Sequence, residues 1–232
     1  MASIKTYAKP IWLYRYRSLG LSTDANIFAN QQLQREVGAL LNGYVYCSTY
    51  KKMNDPMEGL YHATSKATMH REYNSFVSQL KTEKLSIGIA SFSETWDNEL
   101  MWAHYADGFQ GMCICYLMSD LINEITDEHS FSRIAYGNKP HHLNLSALKD
   151  EQDRARAVLS TKHLSWAYER EWRIFAPQPG PVRHGREAIK SVFLGARVLP
   201  KVRQAIEEML SPLNIPVHVT KVEGYRVVKQ RR

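Results

Sequence analysis

The amino-acid sequence predicts a single α+β domain in which mixed and antiparallel strands are flanked by helices. Short apolar or alternating segments typical of strands recur from residue 11 to residue 228, and amphipathic helical segments lie between them. Hydrophobic residues make up 44% of the 232 residues, which is enough for a substantial core. Because no internal repeat or long linker occurs, we expect one domain over residues 1–232 that ends in a basic tail at about 226–232.

The composition narrows the functional classes. No apolar run approaches the ~20 residues that a membrane helix needs, and the first ten residues contain no hydrophobic signal core, so we expect a cytoplasmic protein with no membrane partner. Cys47, Cys113 and Cys115 lie in apolar contexts typical of buried reduced thiols, and no zinc spacing is present, so no metal is expected. The formal charge of +7 favours phosphates, on nucleic acid or on a dinucleotide.

The first third of the chain predicts strand, helix, strand, turn and helix. Residues 11–17 alternate as a strand does, with Trp12, Tyr14 and Tyr16 on one side and Leu13, Arg15 and Arg17 on the other. The helix spans 27–41, stopped by Asn42 and Gly43, and the next strand spans 44–48. Asn54, Asp55 and Pro56 form a turn signal followed by Glu58, and residues 66–84 predict a surface helix.

The central stretch from residue 85 to residue 116 combines apolar strands with polar and aromatic side chains. It predicts an apolar strand from residue 85 whose end lies in the segment that begins at Ser91, a helix that begins after Asp97 or Asn98 and ends at Gly108, and a strand at 111–116. Polar groups stand beside large aromatics here, as in a pocket wall: Ser91, Ser93, Glu94, Trp102, His104 and Tyr105. A core helix with no catalytic role remains the alternative.

The second half of the chain contains a charged aromatic stretch, residues 166–175. Its end predicts a strand with Glu171 and Arg173 on one face, which Glu169 joins if the strand begins early enough. Paired acids in a cleft can divide acid–base and charge-stabilising work, or they can form a plain salt network. The other predicted segments are a short helix or loop at 119–128, a strand at 131–136, a loop at 138–145, a helix at 148–163, a strand at 189–194, a helix at 200–210 and a closing strand or hairpin at 216–228.

Four motifs resemble the marks of a bacterial family of unknown function. These are Leu13-Tyr-Arg-Tyr16, Asn54-Asp-Pro-Met-Glu58, Ser91-Phe-Ser93 with Met101-Trp-Ala-His-Tyr105, and Trp166-Ala-Tyr-Glu-Arg-Glu-Trp-Arg173. They span most of the chain in the expected order, but the family implies no activity.

The arrangement is also similar to the ADP-ribosyltransferase fold, which implies sheets split around a cleft that holds NAD. By this resemblance Arg15, or its neighbours Tyr14 and Tyr16, would bind ribose or phosphate, because a guanidinium forks onto phosphate oxygens. Ser91 or Ser93 would lie beside the nicotinamide, on which Tyr105 could stack. Glu169 or Glu171 would stabilise the positive charge that develops on the ribose.

Three functions follow as hypotheses. The first is an NAD-using transferase or glycohydrolase. In this hypothesis the protein is a toxin, a defence effector or an enzyme that modifies a protein or nucleic-acid acceptor. The second is a nucleic-acid-binding protein or nuclease, suggested by the charge and by the loosely grouped acids Asp55, Glu58, Glu94 and Asp97. The third is a non-catalytic module that holds a small ligand or peptide.

Overall fold

The computed structural model describes residues 9–21, 29–123, 125, 128–143 and 151–230. The helices are α1 (Gln31–Leu41), α2 (Ser65–Thr68), α3 (Tyr73–Ser86), α4 (Glu99–Tyr105), α5 (Met118–Asn123), α6 (Glu151–Val158) and α7 (Pro200–Leu210). The strands are β1 (Trp12–Arg17), β2 (Tyr44–Cys47), β3 (Tyr61–Ala63), β4 (Gly88–Ser93), β5 (Met112–Leu117), β6 (Ser130–Arg133), β7 (Ala135–Gly137), β8 (His141–Leu143), β9 (Thr161–His163), β10 (Glu171–Ala176), β11 (Gly180–Arg183), β12 (Ile189–Leu194), β13 (Val217–Glu223) and β14 (Arg226–Lys229).

The α+β class predicted from the sequence is confirmed, and a large mixed sheet forms its centre. The resemblance to the ADP-ribosyltransferase fold implied sheets split around a cleft, whereas β1, β4, β5, β10 and β12 all belong to this one sheet. Its strand order is β14-β13-β12-β5-β1-β4-β10-β6, and its pairs are antiparallel apart from β12 with β13. Three small sheets join β2 to β11, β3 to β8 and β7 to β9. Successive residues of a strand point to opposite faces, so each strand of the large sheet contributes to two layers.

One face of the large sheet carries the main core and the other face carries two smaller ones. Leu13, Phe92 and Ile174 belong to the main core, together with residues of α1, α5 and α7. On the opposite face, Ile89 and Phe175 pack with residues of α3 and α6, whereas β1, β5 and β12 pack with α4. The two smaller cores leave space between them, and the candidate site lies there.

The alternation predicted for β1, the end predicted for α1 at Leu41 and the start predicted for α4 are confirmed. Strand β1 alternates as expected, with Leu13 in the main core and Tyr16 in the core beneath α4. The start predicted for α1 at residue 27 is wrong: the helix begins after Asn30, because the extended backbone and the side chain of Asn30, which accepts the amide of Leu33, cap it there. Ile27 itself lies outside the described residues. Of the alternatives for α4, Asn98 is the cap, since its Oδ1 accepts amides from the first turn.

Several predicted boundaries are wrong, and long-range pairing explains most of them. The strand predicted from residue 85 begins only at Gly88, because α3 extends to Ser86, and it ends at Ser93, where β10 still pairs with it. The helix placed at 148–163 ends at Val158, since residues 161–163 pair with β7 instead. The strand placed at 131–136 divides into β6 and β7, which pair with different partners, and the loop at 138–145 contains β8.

Two further predictions need correction. The surface helix at 66–84 is divided into α2 and α3, because the segment between them is mostly exposed and has no apolar face to pack; Met69 is 84% exposed. The basic tail at 226–232 is not all tail: Arg226–Lys229 form β14, which pairs with β13. Residues 231 and 232 lie outside the described residues.

Candidate functional site

The large sheet opens between β1 and β4. The two strands pair at Tyr14 and Ser93, whereas the beginning of β4 is bridged to Ser48 through Ile89. Main-chain groups alternate in direction along a strand, and those of Ile89 exchange hydrogen bonds with Ser48 (2.7 and 2.8 Å). The amide and carbonyl of Ser91, two residues further on, therefore point the same way, into the gap.

A cavity of about 330 Å³ lies at this gap. Its volume is near the lower end of the ~300–1,000 Å³ typical of small-molecule sites. Most of the residues that the sequence singles out line its wall: Tyr14, Arg15, Tyr16, Asn54, Ser91, Ser93, Tyr105, Glu169 and Glu171. Segments far apart along the chain thus meet at one hollow.

The remaining predicted residues do not line this cavity. Trp102 is fully buried, and its Nε1 donates to the carbonyl of Trp96 (2.7 Å), so it belongs to the core beneath α4. Asp55 shapes the turn before Glu58, because its Oδ1 accepts the amide of Met57 (2.9 Å). Glu58 and Arg173 lie behind the wall, in a buried ionic cluster.

Arg173 is the centre of this cluster and is fully buried. Its guanidinium donates from Nη1 and Nη2 to the Glu58 carboxylate (2.6 and 3.0 Å), and from Nε and Nη2 to that of Glu171 (2.7 and 3.1 Å). Nη1 also donates to the carbonyl of Leu159 (2.5 Å). Two carboxylates, each of which accepts hydrogen bonds through both oxygens, and one carbonyl hold Arg173 in one position.

Lys162 joins both predicted acids, and the sequence analysis missed it. Its Nζ lies 2.6 Å from Oε2 of Glu169 and 2.9 Å from Oε2 of Glu171. An electrostatic argument could have indicated a lysine here, because several buried carboxylates around one arginine require a second cation to balance their charge. No local motif, however, indicates which lysine supplies it. Lys52 also lines the cavity and was not predicted.

Glu169 reaches the cluster from a turn rather than from a strand, contrary to the prediction that it could join Glu171 on β10. It ends a short 3-10 helix, Leu164–Glu169, and Arg170 follows in the left-handed region with a φ of 45°. The hydroxyl of Ser93 donates to the carbonyl of Glu169 (2.7 Å), and the hydroxyl of Tyr105 donates to its carboxylate. The tight turn brings the two acids to the same lysine.

The two glutamates differ electrostatically. Burial raises the pKa of Glu169, and Lys162 only partly opposes this effect. Burial acts in the same direction on Glu171, but Arg173 and Lys162 outweigh it and lower the pKa to about 2. Burial and the neighbouring Glu169 raise the pKa of Tyr105, so its hydroxyl stays protonated and donates. Glu171 is held as an anion, and Glu169 is the acid whose protonation state the surroundings can change.

Arg15 lines the same cavity from β1. It is 9% exposed, its Nη2 donates to the carbonyl of Tyr46 (3.0 Å), and its guanidinium lies 5.5 Å from the ring centre of Phe92. Within the described part of the chain, its Nη1 has no hydrogen-bond partner. Burial and the nearby Arg17 lower the pKa of Arg15. A buried donor without a partner carries a desolvation cost that an anionic ligand would relieve.

The acids considered for a nuclease do not form a metal centre. Glu94 accepts from Nε of Arg133 (2.8 Å) and Nε1 of Trp172 (2.9 Å), whereas Glu58 accepts from Arg173 (2.6 and 3.0 Å). Among residues 9–21, 29–123, 125, 128–143 and 151–230, no group of three or more His, Cys, Asp or Glu side chains is arranged to hold a metal ion. In that same part of the chain, no helix has both the length and the apolar character needed to cross a bilayer.

Comparison with known proteins gives one match. Residues 101–174 match the model of a family described as a protein of unknown function, DUF2971. The matched segment contains Tyr105, Lys162 and Glu169, together with the other members of the ionic cluster on β10, whereas Arg15 and Glu58 lie outside it. Neither curated proteins nor solved structures gave a match.

Proposed function

We propose that this protein cleaves the bond between nicotinamide and ribose in NAD, and transfers the ADP-ribosyl group to an acceptor or to water. The observation that carries the proposal is the cavity at the gap in the sheet, which is lined by Arg15, Ser91, Tyr105 and Glu169. This hollow combines a cation for phosphate, an anion for a developing positive charge and an aromatic surface.

The charge of the buried cluster supports this chemistry. Glu58, Glu169 and Glu171 face two cations, Lys162 and Arg173, so full ionisation leaves one negative charge uncompensated. Departure of nicotinamide from NAD creates positive charge on the ribose ring. When Glu169 is ionised, this excess of negative charge beside the cavity stabilises that transition state more than it stabilises the ground state.

Other parts of the wall suit the rest of the substrate. The guanidinium of Arg15 can pair with phosphate oxygens. The main-chain amide and carbonyl of Ser91 complement the carbonyl and amino groups of the nicotinamide carboxamide. The volume of about 330 Å³ suits a nicotinamide–ribose unit, with the remaining nucleotide extending out of the cavity.

In the proposed step, the bond from ribose C1′ to the pyridinium nitrogen breaks and its electron pair stays on nicotinamide. The resulting cation on the ribose faces Glu169, whose orientation is set by Tyr105 and Lys162. A water molecule or an acceptor nucleophile then bonds to C1′ and releases a proton to solvent.

Between the two glutamates, we assign the catalytic role to Glu169. The carboxylate of Glu171 is tied to Arg173 through both oxygens and to Lys162, and it serves to hold those cations in place. Glu169 has one contact on each oxygen, which leaves acceptor capacity for a ribose hydroxyl.

The test is release of nicotinamide from NAD, measured chromatographically with candidate protein and nucleic-acid acceptors present. Glu169→Gln is expected to lower kcat by about 10²–10³, the usual effect of removing one electrostatic contact to the transition state. Glu207→Gln, a change at a partly exposed ion pair on α7, is the matched control and retains activity. Absence of release from the wild type, or full activity in a folded Glu169→Gln variant, would contradict the proposal.

One observation favours a second function, a module that binds a nucleotide without cleaving it. Both glutamates at the cavity already have cationic partners, as they would in a purely structural network. This function predicts saturable binding of NAD without release of nicotinamide, and equal affinity in the wild type and in Glu169→Gln.

A further inference from the structure

A second cavity, of about 500 Å³, adjoins the first one across the gap in the sheet. Both cavities are lined by Arg15, Arg17, Ser48 and Lys52, so the side chains at the end of β1 stand between them. The second cavity lies on the face of the main core, and helix α1 contributes Arg35 to its wall. The proposed NAD site does not use this space.

The ionisable lining of the second cavity is strongly positive. Arg15, Arg17, Arg35 and Lys52 face a single carboxylate, Glu36. That carboxylate forms an ion pair with Arg17, whose Nε and Nη2 lie 2.7 and 2.5 Å from its two oxygens. The charges of the other three cations remain uncompensated in this wall.

These three cations can donate further hydrogen bonds to a ligand. Nη1 of the buried Arg15 has no hydrogen-bond partner, and Arg35 and Lys52 are exposed with no ion pair, all within the described part of the chain. A desolvated guanidinium flanked by exposed cations is an arrangement that binds a multiply charged oxyanion, because each contact is charge-assisted. Carboxylate ligands would use fewer of these donors than a phosphate or pyrophosphate group.

We propose that the second cavity is an anion site for a phosphate or pyrophosphate group, held by Arg15, Arg35 and Lys52. The site itself stands on this charge and geometry. Its assignment to the pyrophosphate of a dinucleotide, whose ribose and base lie in the first cavity, rests on the proposed function. The substrate then passes through the gap between β1 and β4.

The direct test is isothermal titration calorimetry of the intact protein with inorganic pyrophosphate. We expect binding that weakens as salt concentration rises. The double variant Arg35→Ala/Lys52→Ala is expected to lose about tenfold or more in affinity, since both cations contact the anion. Lys51→Ala is the matched control, because Lys51 is exposed beside Lys52 but lines neither cavity, and it changes affinity by less than about twofold.

Arg15→Gln removes the buried guanidinium and is expected to abolish binding. If that variant does not fold, the exposed pair Arg35 and Lys52 decides the question, because their replacement leaves the core unchanged. No binding of pyrophosphate to the wild type, or equal affinity in the double variant and the control, would overturn the proposal. Tighter binding of ADP-ribose than of pyrophosphate identifies a nucleotide as the source of the group, and equal binding identifies the free anion.

Nicotinamide release in the same variants separates this proposal from the proposed function. If both hold, Arg35→Ala/Lys52→Ala raises the KM for NAD and leaves kcat close to that of the wild type. Pyrophosphate binding without any nicotinamide release refutes only the NAD chemistry. Nicotinamide release with an unchanged KM and no pyrophosphate binding refutes only the anion site.

Discussion

Replacement of Arg173 by Met tests whether the buried ionic cluster stabilises the fold. The side chains of Arg173 and Glu58 are 0% and 2% exposed, and the change leaves the Glu58 carboxylate without an ionic partner among the described residues. Glu171 keeps Lys162. Removal of one partner of a buried pair costs about 3–5 kcal/mol, a large part of the 5–15 kcal/mol of a typical domain.

The measurement is urea denaturation of the wild type and of Arg173→Met, followed by tryptophan fluorescence. We expect the free energy of unfolding to fall by about 3–5 kcal/mol. Arg203→Met is the control, because its pair with Glu207 on α7 is about one third exposed (37% and 35%), and a loss below about 1 kcal/mol is expected.

A second variant isolates the charge from the lost packing. Adding Glu58→Gln to Arg173→Met removes the unpaired buried charge, so the double variant is expected to lose less stability than the sum of the two single changes. A loss below about 1 kcal/mol in Arg173→Met, or strict additivity in the double variant, would refute the argument that this cluster is held by buried charge.

Three further predictions concern the acids and two glycines. Tyr105→Phe removes the hydroxyl that lowers the pKa of Glu169, so the acidic limb of the NAD cleavage profile should move to higher pH; an unmoved limb would exclude Glu169 as the titrating group. The pKa of Glu171 is lowered from 4.5 to about 2, so its stabilising contribution is full above pH 4.5 and is lost as pH falls towards 2; urea titrations should show this loss in the wild type and a smaller one in Glu171→Gln. Gly38→Ala on α1 places the new methyl group in open space and should raise the free energy of unfolding by about 0.5–1 kcal/mol. In Gly111→Ala the Cβ would lie 2.3 Å from a backbone oxygen, so the free energy of unfolding should fall by at least about 1–3 kcal/mol. Thermal unfolding measures both changes, and equal effects would contradict this packing.

Local features of the fold could be predicted because neighbouring residues determine them. The alternation of β1 follows from the two-residue period of a strand, and the start of α4 follows from the ability of Asn98 to accept free amides. The ends of elements were less predictable. Residues 161–163 continue a helical pattern, but pairing with β7 supplies their backbone with partners that the local sequence does not reveal.

The candidate site could be predicted in its residue types but only partly in its arrangement. Arg15, Ser91, Tyr105 and Glu169 line one cavity, as the sequence analysis required of an active site. In the sequence, Trp102 and Tyr105 are both aromatic residues of the same predicted helix and were both expected at the site. In the structure, the side chain of Trp102 is buried in the core beneath α4 and does not line the cavity. Their separate placements depend on how α4 packs against β1, which no local pattern specifies.

The sequence by itself determined the α+β class, the strand and helix periodicities and the set of polar residues available for a site. Only the tertiary structure decided that Arg173 pairs with Glu58, 115 residues away, and that Lys162 lies between Glu169 and Glu171. The physical reason is that a buried charge requires a partner, but any of several lysines and acids in the chain satisfies that requirement equally well until folding brings one of them within hydrogen-bond distance.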